Sequence, residues 1–64
     1  MKLSEVTVYP RVYNVITTTD PRFTVGSEIK VCNLNEESVL IAIGSGLAFF
    51  LNKNEASLIQ VESR

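Results

Sequence analysis

The sequence predicts an all-β domain, a small antiparallel barrel of five or six strands with one short helical turn before the last strand. The run Val39-Leu-Ile-Ala-Ile-Gly-Ser-Gly-Leu-Ala-Phe-Phe-Leu51 sets two apolar segments rich in β-branched and aromatic residues on either side of a Gly-Ser-Gly turn. Phe23, Val25, Ile29 and Val31 alternate with polar Thr24, Glu28 and Lys30, the period of a half-buried strand. Asn52-Lys-Asn-Glu55 has the form of a capping box, and only one turn of helix or 3₁₀ fits between it and the short strand Leu58-Ile-Gln-Val61.

Along the chain, Val6-Thr-Val-Tyr9 and Val12-Tyr-Asn-Val-Ile-Thr17 are both rich in β-formers. Pro10 separates them and has no N–H for a ladder, so they read as one bent strand or two short edge strands. Val6, Val8, Val12 and Ile16 share one parity and are assigned to the core; Tyr9, Tyr13 and Val15 share the other. Thr17 to Arg22 is a polar connection that turns at Asp20-Pro21. Gly26 marks a turn or bulge before the strand that ends at Cys32, Asn33 to Ser38 leads into the hairpin, and Glu62 to Arg64 form a frayed end.

Loop length fixes which hairpin side chains share a face, because a slip of one residue reverses the whole set. A three-residue loop Gly44-Ser45-Gly46 lets Gly46 take the left-handed conformation its last position requires. A two-residue loop mixes large and small groups on both faces and is set aside. In the preferred register Ile43 lies opposite Leu47, Ile41 opposite Phe49 and Val39 opposite Leu51, all facing the core. Leu40, Ala42, Ala48 and Phe50 occupy the other face, with Leu40 directly across from Phe50. Either the N-terminal segment or the curl of the barrel covers that pair, or a partner or a second copy does.

From Phe23 to Val61 the order is a strand led by Gly26, an apolar hairpin, a helical turn with Ala56 and Leu58, and a short last strand. This pattern resembles the SH3-like small barrels, including KOW-type and Sm-type modules, in which such a turn precedes the last strand. The resemblance implies an SH3-like barrel and carries no functional motif with it. The chain has no tryptophan for an SH3 peptide groove and no visible Sm-type RNA motif.

Residues 1–64 make one domain, of a size that buries only about 60% of its unfolded surface. Domains this small often rely on disulfides, metals or oligomerisation. Cys32 is the only cysteine and there is no histidine, so no intrachain disulfide can form and a zinc site lacks its usual ligands. No metal or cofactor is expected, and self-association into a homo-oligomer is the remaining device. The formal charge of -1 gives no broad attraction to phosphate backbones or anionic lipids. The hairpin is too short for a membrane span, and Glu5 interrupts any signal-peptide core. A single free thiol suits the cytoplasm.

Catalytic constellations are missing. Cys32 has no histidine base and its neighbours Val31 and Leu34 point to burial; Ser45 lacks triad partners; adjacent Glu36 and Glu37 would face opposite ways on a strand. Gly44-Ser45-Gly46 has no lysine and no helix of useful length after it, so it is no phosphate-binding loop. No enzyme is expected. The sequence points instead to a non-enzymatic protein-interaction module, a small regulator or inhibitor of a larger cellular machine, for which a phage or mobile-element origin is suitable. Its candidate partner surface is Leu40 and Phe50 together with Tyr9, Arg11 and Tyr13, and its protein partner is unidentified. The alternative is a nucleic-acid-binding barrel in which Tyr9, Arg11 and Tyr13 stack on bases, with Arg22, Lys30 and Lys53 as a basic strip; the acidic balance disfavours it. A third reading has Val6 to Ile16 as an edge strand that augments a partner's sheet.

Overall fold

Five strands and two single-turn helices form among the residues described by the computed structural model, which are 1–64 apart from Ser45. A 3₁₀ turn at Leu3–Glu5 is followed by β1 (Arg11–Thr17), β2 (Glu28–Leu34), β3 (Ser38–Ile43), β4 (Ala48–Asn52), the helical turn α1 (Lys53–Ala56) and β5 (Gln60–Ser63). All five strands are antiparallel members of one sheet in the order β4-β3-β2-β1-β5. β4 and β5 end that order and no ladder joins them, so the sheet is open rather than the closed barrel expected from the sequence. No sixth strand forms over Val6 to Tyr9.

The hairpin β3–β4 has the register of a three-residue loop. Val39 pairs with Leu51, Leu40 with Phe50 and Ile41 with Phe49. At the loop, the Ile43 N–H donates to the Leu47 carbonyl at 3.0 Å and the Gly46 N–H to the Ile43 carbonyl at 2.8 Å. Gly46 has φ of 88°, a left-handed conformation that favours glycine. Ser45, the middle of the expected loop, lies outside the described residues. Val39, Ile41 and Leu51 are fully buried, and Ile43 and Phe49 pack at the margin of the core. Leu47 does not join them. It is 59% exposed because it precedes β4 at the hairpin mouth, past the last layer of side chains over the inner face.

The N-terminal parity is the reverse of the one assigned from sequence. Tyr13 and Val15 are buried, while Val8 and Ile16 are exposed and Val12 is half-buried on the outer face. Alternation starts only at Arg11, and the residues before Pro10 are not in a strand, so phase cannot be counted across the proline. Val6 is buried independently of any strand, and the Tyr13 hydroxyl donates to the Val8 carbonyl at 2.6 Å, which satisfies its one polar group in the core. β1 pairs with β2 on one side and β5 on the other, so it is interior and offers no edge for augmentation.

The first residues instead cover the outer edge of β5. The Met1 ammonium donates to the Val61 carbonyl at 3.0 Å, the Val61 N–H returns to the Met1 carbonyl at 2.8 Å, and the Leu3 N–H reaches the Ile59 carbonyl at 2.8 Å. Leu3 thereby enters the core with no exposed surface. β5 begins at Gln60, two residues later than expected, and Glu62 and Ser63 pair with Asn14 and Tyr13 instead of fraying. The cap is as the sequence predicts: the Glu55 N–H donates to Asn52 Oδ1 at 2.8 Å and the Asn52 N–H to Glu55 Oε1 at 3.4 Å. Gly26, with φ of 89°, turns the chain ahead of β2, also as predicted.

Burial ranks these residues in a testable way. Leu3→Ala is expected to cost about 2–5 kcal/mol in urea unfolding, whereas Leu47→Ala should stay within about 0.5 kcal/mol of the parent.

Candidate protein-binding surface

Strand alternation sends Leu40, Ala42, Ala48 and Phe50 to the outer face of the hairpin. Two cross-strand rows form there. Asn33, Leu40 and Phe50 make one; Val12, Lys30, Ala42 and Ala48 make the other. Leu40 is half-buried and Phe50 is 65% exposed. The N-terminal segment lies along β5 and against α1, with Tyr9 reaching Leu34 at the end of β2, and it leaves Phe50 uncovered. A bulge between Val31 and Asn33 holds Cys32, which is half-buried rather than buried, with Sγ 3.9 Å from the Lys30 carbonyl. Beside the rows, Val12, Lys30, Ala42 and Ile43 line part of a shallow depression of about 220 Å³.

The backbone of β4 adds a second feature. In an antiparallel ladder both polar groups of a residue point to the same side, and successive residues alternate. Since Ile43 bonds Leu47, Phe49 and Leu51 face β3, and Ala48, Phe50 and Asn52 face away from it. The Asn52 N–H is taken by Glu55. Among the described residues, Ala48 and Phe50 have no strand beyond them, so their N–H and C=O groups are unpaired. Sequence reasoning missed this edge, although the absence of charge from Leu47 to Leu51 was its one local signal.

Tyr9, Arg11 and Tyr13 do not form one surface. Tyr13 is 2% exposed and faces the core, while Tyr9 precedes β1 and donates its hydroxyl to the Leu34 carbonyl at 3.3 Å. Arg11 is exposed at the start of β1. The basic strip does not gather either. Lys30 stands on the outer face, Lys53 Nζ donates to the Ser4 carbonyl at 3.3 Å, and Arg22 is held by acids.

Arg22 belongs to a cluster that the sequence did not reveal. Its guanidinium meets Asp20 at 2.6 Å and Glu55 at 3.0 Å, and its Cζ lies 5.2 Å from the Phe49 ring centroid and 6.0 Å from that of Phe23. The two rings are themselves 5.9 Å apart. The arginine therefore ties the β1–β2 loop to α1 and roofs the aromatic pair at the margin of the core. Thr19, Pro21 and Leu58 line a cleft of about 420 Å³ with these charged groups. Two carboxylates already answer the single cation, so the cluster is a brace and has little left to offer an anion. Asp20 is held below the usual carboxylate value, first by the side-chain hydrogen bonds from Arg22, with burial opposing.

Comparison with protein-family models, with curated proteins and with solved structures yields no match in any of the three. Among the described residues no group of three or more His, Cys, Asp or Glu is placed to hold a metal ion, and no helix is long and apolar enough to cross a membrane.

The depressed Asp20 value fixes the sign of a pH effect. Its contribution is fully present above the unfolded-chain value of about 3.9 and is lost as the pH falls through the lower folded-state value. Asp20→Asn should therefore lower the melting temperature by about 2–5 °C at neutral pH. That deficit should shrink when parent and variant are compared by circular dichroism at progressively lower pH below the ordinary aspartate value.

Proposed function

We propose that this chain is a non-enzymatic protein-interaction module whose contact surface is the outer side of the β3–β4 hairpin. The observation that carries the reading is the exposed Phe50, paired with half-buried Leu40, beside the unpaired backbone of β4. Large aromatics, Phe included, are enriched at the contact surfaces of proteins. The continuous order β1 to β4, the helical turn, and the return of β5 to β1 support assigning the sheet to the SH3-like small-barrel class, which hosts many functions and leaves the site to decide. A module of this size with no catalytic constellation acts by occupying a surface, as a regulator or inhibitor of a larger assembly, and its free thiol suits the cytoplasm. The formal charge of -1, the burial of Tyr13 and the separate engagement of Arg22 and Lys53 weigh against nucleic acid as the partner.

The test is retention of a partner from native lysate by immobilised parent, Leu40→Asp and Phe50→Asp proteins, read by mass spectrometry and by nucleic-acid staining. The parent should retain a defined protein, and Phe50→Asp should retain about tenfold less or lower still. Equal retention by all three, or retention of nucleic acid in place of protein, overturns the reading.

A further inference from the structure

The two edges of the sheet are treated differently. At β5 the chain's own Met1 takes both outward groups of Val61 and Leu3 binds the preceding Ile59 carbonyl, whereas nothing described meets the edge of β4. Natural edge strands are blunted by lysine, proline, bulges or covering segments. Ala48-Phe-Phe-Leu51 has no charge and no proline, and its ladder to β3 is regular. We propose that this edge is occupied by a second copy of the chain, β4 against β4 in antiparallel orientation, with a two-fold axis passing at Phe49. The inference rests on the reading of the hairpin as the contact surface and deepens it by naming the occupant and the register.

The hydrogen bonds select that register. With the axis at Phe49, Ala48 lies opposite Phe50 of the second copy and Phe50 opposite its Ala48. Each pair exchanges both N–H···O bonds, so every outward group of the two residues is used. Setting Phe50 opposite Phe50 instead would bring Ala48 to Asn52, whose N–H is already engaged by Glu55. Setting Ala48 opposite Ala48 would bring Phe50 to Gly46, whose N–H is already engaged by the Ile43 carbonyl. Only the intermediate arrangement leaves no bond in competition.

Side chains agree with it. On the outer face each exposed Phe50 ring meets the small Ala48 of the other copy, a large-to-small fit beside Leu40. On the inner face Phe49 lies opposite Phe49 of the second copy. Phe50, exposed and apolar on the hairpin arm, thus loses exposure on association. No charged residue lies between Leu47 and Leu51 to repel its own copy, so the edge is self-complementary, as an isologous contact requires.

Proline separates this edge contact from a face contact. The Ala48 N–H carries no bond to β3, so Ala48→Pro leaves the internal ladder intact while it removes a donor from the intermolecular one. In analytical ultracentrifugation the parent should sediment as a dimer and Ala48→Pro as a monomer with an unchanged circular dichroism spectrum. A mixed sample of ¹³C-labelled and unlabelled parent, which does not depend on any variant folding, should show contacts between the Ala48 methyl of one copy and the Phe50 ring of the other. A monomeric parent, a folded and dimeric Ala48→Pro, or a dimer lacking the Ala48–Phe50 contact each overturns the proposal. A monomeric parent that still retains a protein through Leu40 and Phe50 would remove the dimer and leave the proposed function standing. A parent dimer with the Ala48–Phe50 contact, in a chain whose protein retention ignores Phe50→Asp, would do the reverse.

Discussion

An open antiparallel sheet must dispose of two rows of backbone N–H and C=O groups at its outermost strands, and the rest of this structure depends on how it does so. At β5 the answer is internal. Met1 and Leu3 lay down a short bridge against Val61 and Ile59, and that bridge delivers Leu3 and then Val6 into the core. The buried set of a small chain is thereby enlarged from a segment that forms no strand. At β4 there is no such answer among the described residues, and the apolar groups left exposed on that arm, Leu47 and Phe50, lie beside the unpaired backbone.

Closure of the remaining margin falls to charge and aromatic contact. Arg22 reaches from the β1–β2 loop over Phe49 and Phe23 and is pinned by Asp20 and Glu55, the latter being also the residue that answers the Asn52 cap. One helical turn thus serves two ends. It caps itself, and it offers the carboxylate that holds the loop. The brace protects the inner side of Phe49 and leaves the backbone of Ala48 and Phe50 without a partner among the described residues.

Much of this was legible locally. Gly44 and Gly46 dictated the hairpin register, alternation put Leu40 across from Phe50, Asn52 and Glu55 marked the cap, and Gly26 marked the turn before β2. These features depend on residues a few positions apart. The phase of β1 was misread because Val6 and Val8 seemed to continue a pattern that in fact begins after Pro10, so the buried aromatic Tyr13 was taken for a surface group. The bare edge, the N-terminal cover of β5 and the Arg22 brace were illegible because each is a contact between distant segments. Which strand ends the sheet follows from β1 pairing with β5, across nearly the whole chain, and no local pattern encodes that.

The central claim is that β4 carries an unsatisfied edge that a second strand completes, and amide hydrogen exchange followed by NMR over a range of protein concentrations tests it most directly. Phe49 and Leu51, which face β3, and Leu3 and Val61, which face each other's neighbours at β5, should be protected at every concentration. The amides of Ala48 and Phe50 should exchange freely in dilute solution and become protected together as concentration rises. If those two amides exchange freely at all concentrations, or are already protected in the dilute monomer, the edge is not the contact surface described for it.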